Sequence, residues 1–149
     1  MHLTSPAFVN GGMIPVKHTC DGEDVSPALD VDDLPEGARS LVLVMEDPDA
    51  PRGTWDHWIA YDIDPCDHIP EGVRTLGTPG RNSWGNAGYG GPCPPSGTHR
   101  YVFRLVALDR RLGLPPGLTK AEVMTAAAPH ILDEAVLIGL YGRSSTGRK

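Results

Sequence analysis

Two proline-rich loops constrain this chain more than any other feature. Asp47-Pro48-Asp49-Ala50-Pro51 leads on to His57, and Gly91-Pro92-Cys93-Pro94-Pro95-Ser96-Gly97-Thr98-His99-Arg100-Tyr101 carries a second set of polar groups. Each loop runs into an apolar, strand-like segment. Proline fixes φ and restricts the residue before it, and X-Pro bonds can also lock in cis within tight turns. Imidazole, carboxyl and phenol groups set in stiff loops at strand ends make a rigid polar pocket.

The segments between such loops read as strands. Leu41–Met45 is a continuous branched apolar run, Trp58–Ile63 alternates large and small residues, and Tyr101–Leu108 is the strongest strand of all. Ala28–Val31 and Ala7–Val9 are weaker strands. The chain holds 18 Gly and 15 Pro, and because they fall between apolar runs, as in Pro35-Glu36-Gly37 and Pro115-Pro116-Gly117, they mark turns rather than disorder. Thr119-Lys120-Ala121-Glu122 is a capping box that starts a helix. Pro129 interrupts it and opens a second helix, along which Ile131, Leu132, Ala135, Val136 and Gly139 fall at helical spacing. Gly139 ends that helix before a short final strand, 140–142. The tail 144–149 is polar, basic and expected to be mobile. Strands first and helices last predict a mainly antiparallel β-sandwich with a few peripheral helices, in one domain spanning 1–149.

Composition excludes several function classes. A formal net charge of −6 disfavours nonspecific nucleic-acid binding and docking to anionic membranes. No apolar run approaches the length of a membrane span, and the N-terminus carries no signal-peptide pattern. The three cysteines, Cys20, Cys66 and Cys93, leave at least one unpaired, which suits a reducing cytoplasm better than a secreted disulfide framework. Cys93 reads as a small buried apolar residue rather than a reactive thiol. His18 and Cys20 precede the acidic run 21–24, but the ligand order of an EF-hand is lacking and a solvated turn is expected; no metal and no cofactor motif is read.

The loop residues themselves suggest anion recognition. His99 and Tyr101 are two apart at the start of a strand, so both project from one face while Arg100 points the other way. Both can donate to an anionic oxygen. His57 stands between Asp56 and Trp58, as a strand-end histidine or as a pocket donor, and either Trp55 or Trp58 supplies an apolar rim. Asp47 follows the strand 41–45 and lies at its mouth; beside a bound anion it must be protonated or be offset by donors. Asp49 is a rim residue or a turn-capping aspartate. Gly91 permits close backbone approach and can present an N–H.

These words together resemble the phosphatidylethanolamine-binding protein family, in its short prokaryotic branch of Raf kinase inhibitor-like proteins. DPDAP at 47–51, TWDHW at 54–58, GPCPPSGTHRYVF at 91–103, HILDEAVLIGLYGR at 130–143 and KHTCDGEDVSP at 17–27 carry the resemblance across nearly the whole chain. It implies a Greek-key β fold and a phosphate-binding pocket made of Asp47, His57, Gly91, Pro94, Pro95, His99 and Tyr101, with Asp49 and Trp55 at the rim. The implied ligand is a small phosphate-containing or other anionic group. A second reading is inhibition of a serine protease or kinase through loop 77–90, with Trp84 and Tyr89 as exposed anchors; equally, Trp84 packs the loop down. An enzyme is disfavoured because no HExxH, GxSxG or P-loop occurs. Family analogy also suggests a homodimer.

Overall fold

The computed structural model describes residues 1–143; the expectation of a mobile tail falls outside them. Eight strands run in the order β1 (His2–Thr4), β2 (Leu29–Asp32), β3 (Ser40–Asp47), β4 (Trp55–Ile63), β5 (His68–Ile69), β6 (Thr78–Pro79), β7 (Gly97–Leu108) and β8 (Ile131–Arg143), with one α-helix, α1 (Lys120–Ala127), between the last two. They form two antiparallel sheets, β1-β2-β5 and β6-β4-β3-β7-β8. Ala7–Val9 is not a strand.

The continuous apolar run in β3 has a direct cause. β3 is the centre of the larger sheet and is buried on both faces, so neither face selects polar residues. Leu41, Leu43 and Met45 join Phe103, Leu105 and Leu137 in the core shared with Leu3, Leu29 and Ile69 of the smaller sheet. Val42 and Val44 point the other way, where Val106, Leu108, Ile59 and Tyr61 pack under Val123 and Ala127 of α1. The helix begins where the capping box places it, with Thr119 accepting from the Glu122 amide and Glu122 accepting from the Thr119 amide.

The second helix does not form. Ala128–His130 is a short 3-10 turn, and Ile131–Arg143 is one long strand paired along its length with β7. The helical spacing of Ile131, Leu132, Ala135, Val136 and Gly139 coincides with a second pattern, in which Ala135, Leu137 and Tyr141 are buried at period two. Pairing with β7 favours that pattern. The outer edge of β8 is covered by residues 10–14: Gly11 N–H donates to Ile138 O, Ile14 N–H to Leu140 O, and Leu140 N–H to Gly12 O. Among the described residues no peptide bond is cis, and no helix is long and apolar enough to cross a membrane.

Candidate functional site

Three adjacent strands, β4, β3 and β7, converge at one end of the larger sheet and place the polar residues around a cleft of about 670 Å³. His99 and Tyr101 leave β7 on the same face as Phe103, as alternation requires, and their rings lie 6.4 Å apart and nearly parallel. Asp47 ends β3 on that same face. His57 reaches it by a different device. Met45 pairs with Trp58 but Glu46 pairs with Asp56, so His57 is an extra residue in β4. This bulge turns the His57 side chain to the cleft side, whereas strict alternation would send it opposite to Trp58. Its ring is then fixed edge-on between Trp84 at 4.9 Å and Tyr101 at 5.3 Å.

Hydrogen bonds fix the histidine tautomers. His57 Nδ1–H donates to the Gly90 carbonyl at 2.7 Å, and His99 Nδ1–H donates to Asp47 Oδ2 at 2.7 Å. Each partner can only accept, so each Nδ1 holds a proton. Nε2 of either ring therefore donates only when the ring is an imidazolium. Burial holds the His57 imidazole below its ordinary range. Asp47 is itself buried, and its other oxygen accepts from the Asp49 amide at 2.8 Å. The two donors offset its charge, and the carboxylate orients His99.

Tyr101 differs from every other buried polar group here. Among the described residues its hydroxyl has no well-aligned hydrogen-bond partner, although the Cys93 backbone lies near it. Asp56 Oδ1 and Arg104 Nε likewise form no well-aligned bond, but each has a charged neighbour, Lys120 at 2.9 Å and Glu134 at 3.2 Å. Burial, then the Asp47 charge, push the Tyr101 phenol well above its ordinary range, so it stays protonated and remains a donor.

Three expectations change with the geometry. The Gly91 N–H, expected to face an anion, donates instead to Asp24 Oδ1 at 2.8 Å. Gly91 lines the cleft as a point of close backbone contact. Asp49 lies outside the lining and forms a bidentate ion pair with Arg100 on the outer side of β7. Cys93 is exposed and bonded to Cys20, leaving Cys66 as the free cysteine. An odd cysteine count guarantees one unpaired thiol and says nothing of the others, so the count no longer argues for the cytoplasm. The acidic run 21–24 is an exposed turn, as expected, and it is tied down on either side: buried His18 donates to Val25 O, and Asp21 binds Arg143 and Tyr141. Among the described residues no cluster of His, Cys, Asp and Glu is arranged to hold a metal ion.

Pro94 and Pro95 line the cleft, and so does Trp55, which is 37% exposed. Trp58 lies in the core against Tyr89. Tyr89 is not an exposed anchor: it is half-buried and its hydroxyl donates to His18 O at 2.7 Å.

The phosphatidylethanolamine-binding protein family model matches residues 4–142. The chain belongs to that family. It is 48% identical over 145 residues to a UPF0098 protein of Archaeoglobus fulgidus, covering 93% of this chain and 50% of that protein, so it spans about half the length of that relative. A UPF0098 protein of Methanothermobacter thermautotrophicus is 47% identical over 150 residues, covering 96% of this chain and 99% of that one. The crystal structure of a phosphatidylethanolamine-binding protein homologue from Chlamydia trachomatis superposes with a TM-score of 0.93 at 42% identity, covering 96% of this chain and 97% of that one.

Cys20, Asp24 and Asn82 are among the residues of this family member's cleft that sequence reasoning missed. Cys20 and Asp24 approach from the other end of the chain, with no local signal. Asn82 does have one, since an Asn before Ser-Trp-Gly suits an Asx turn: buried Asn82 accepts from the Trp84 and Asn86 amides and donates to Gly88 O. The Asp49–Arg100 pair gives a modest stability prediction. The guanidinium, followed by the Arg100 amide, holds the Asp49 carboxyl down at about 2. A depressed carboxyl stabilises the fold above its unfolded value of about 3.9, and that contribution disappears as pH falls through the folded value. Asp49→Asn is expected to cost under about 1 kcal/mol near neutrality, because the pair is largely solvated. Urea unfolding of both proteins should show the difference shrinking between about pH 4 and about pH 2.

Proposed function

We propose that the cleft is a binding site for a small oxyanion, with phosphate-bearing groups as its ligand class. The observation that carries this reading is the buried Tyr101 hydroxyl, which has no well-aligned hydrogen-bond partner among the described residues and belongs to the cleft lining beside His57 and His99. A buried donor left unpaired is unfavourable, and an incoming oxygen would satisfy it. The two imidazole Nε2 atoms would complete the cradle once protonated. The family's name is consistent with a phosphate-bearing ligand. The inhibitor reading has less support: of its expected anchors, Tyr89 is half-buried with its hydroxyl on the His18 carbonyl, and Trp84, though 45% exposed, packs one edge against His57. The proposed role is binding rather than catalysis.

The tautomers make this binding proton-linked. An anion held by Nε2 requires an imidazolium, and His57 resists protonation in the empty site. Affinity therefore rises as pH falls. Sulfate tests this cleanly, because its own charge is constant from about pH 5 to about pH 8. Calorimetric titration should show sulfate binding more tightly near pH 6 than near pH 8. Tyr101→Phe should weaken it about tenfold with little loss of thermal stability, since the hydroxyl removed makes no well-aligned bond among the described residues. Absence of saturable binding, or equal affinity in Tyr101→Phe, would refute the site.

A further inference from the structure

One wall of the cleft is a seam between two distant parts of the chain, and its one covalent link is the Cys20–Cys93 bond across 73 residues. Noncovalent links lie beside it: Cys20 N–H donates to Pro92 O at 3.1 Å, Gly91 N–H to Asp24 Oδ1 at 2.8 Å, and the Tyr89 hydroxyl to His18 O at 2.7 Å. Both half-cystines line the cleft and both are exposed, so an external thiol can reach them. Arg143 completes the arrangement. Its Nη2 lies 3.1 Å from Cys20 Sγ and 3.4 Å from Cys93 Sγ, while the same guanidinium binds Asp21. A guanidinium beside a sulfur stabilises the thiolate. That favours the reduced form and makes the sulfur a better leaving group.

We propose that Cys20–Cys93 is a reversible, redox-active disulfide that opens and closes the seam and thereby sets the affinity of the cleft for its anion. The reductant is a dithiol. Its first thiolate attacks Cys93 Sγ, the Cys20–Cys93 bond breaks, and the electron pair leaves on Cys20 Sγ beside Arg143. The second thiol of the reductant then displaces Cys93 from the mixed disulfide. Two electrons and two protons pass to the protein, and the dithiol becomes a cyclic disulfide. In the reduced protein Cys20, Asp21 and Cys93 compete for Arg143, and segment 17–24 is held against residues 89–93 by the hydrogen bonds and the packing of His18 and Thr19 alone. The affinity part of this inference rests on the anion-binding reading of the cleft; the opening of the seam does not.

The test equilibrates the whole protein with graded ratios of reduced to oxidised dithiothreitol, counts free thiols by alkylation and mass, and titrates each form with phosphate. Amide hydrogen exchange is followed at Cys20 and Gly91, which donate across the seam, and in β3 as a control on the fold. The expected results are reversible reduction of the folded protein, exchange about tenfold faster at Cys20 and Gly91 with β3 unchanged, and phosphate affinity about tenfold weaker. Arg143→Gln should require a dithiol ratio about tenfold more reducing to reach the midpoint. A bond that resists every ratio, or seam amides that exchange alike in both forms, overturns the proposal. So does equal acceleration in β3, which would make the bond a staple of the whole fold. If the oxidised protein binds no phosphate, the anion reading fails, and the seam amides alone decide whether the redox device exists.

Discussion

Asp47→Ala should destabilise the fold by about 3 kcal/mol and weaken sulfate binding by about a hundredfold. Two donors depend on this carboxylate, the Asp49 amide and His99 Nδ1, and both lose a buried charged acceptor that water entering from the cleft replaces only in part. His99 would lose the partner that fixes its ring. Asp47→Asn separates the two consequences. An asparagine can still accept from the Asp49 amide through its oxygen, and its NH₂ then faces His99. The neutral imidazole must answer by accepting at Nδ1 and carrying its proton on Nε2, which makes it a donor without protonation. Most of the stability should return, and the fall in sulfate affinity between about pH 6 and about pH 8 should be shallower than in the wild type. Chemical denaturation and calorimetry on the two variants check both statements. A full loss of binding in Asp47→Asn with normal stability would mean that the carboxylate touches the ligand itself.

The legibility of this site follows the range of the interactions that make it. Side chains from one strand at spacing two share a face wherever the strand lies, so His99 and Tyr101 could be paired from sequence. Asp47 could be placed at the mouth because β3 announces itself as a doubly buried strand. His57 was harder. Its contribution depends on a bulge in β4, and a bulge is a mismatch between two strands rather than a property of either. The Gly91 amide differs from its expected role for a related reason. Its acceptor, Asp24, is 67 residues away, and nothing near Gly91 in the chain says that the donor is already engaged.

The fold shows the same division. The capping box at Thr119 is local chemistry, and α1 starts there. β8 is not decided locally. Residues 131–139 satisfy a helical and an alternating pattern at once, and the choice is made by β7, which offers a full ladder of backbone partners from Gly97 to Leu108. Tertiary pairing overrides a weak local preference in such cases. The Cys20–Cys93 bond belongs with these long-range features: parity fixes that one thiol is free, while only the fold brings the other two together.

Gly91→Ala should be as disruptive as any change in the cleft, although this glycine has ordinary backbone geometry. It is absent from the positive-φ positions, so an alanine meets no conformational penalty there. The constraint is space. A Cβ at residue 91 would overlap Asp24 Oδ1 and the His18 carbonyl oxygen and press on Thr19 Cα at 3.0 Å. Two of these three are backbone atoms of a segment held by buried His18 and Thr19, so the loop cannot simply rotate a side chain away. Separation of the seam would break the Gly91–Asp24 bond and shift Pro94 and Pro95 in the cleft wall. The expected result is a loss of about 3 kcal/mol, with sulfate binding weakened at least about tenfold. Asp24→Ala tests the cause. It removes the carboxylate obstruction but leaves the His18 carbonyl, so Gly91→Ala/Asp24→Ala should recover only part of the stability in a double-mutant cycle. Full recovery would make the carboxylate, rather than close backbone packing, the reason that residue 91 carries no side chain.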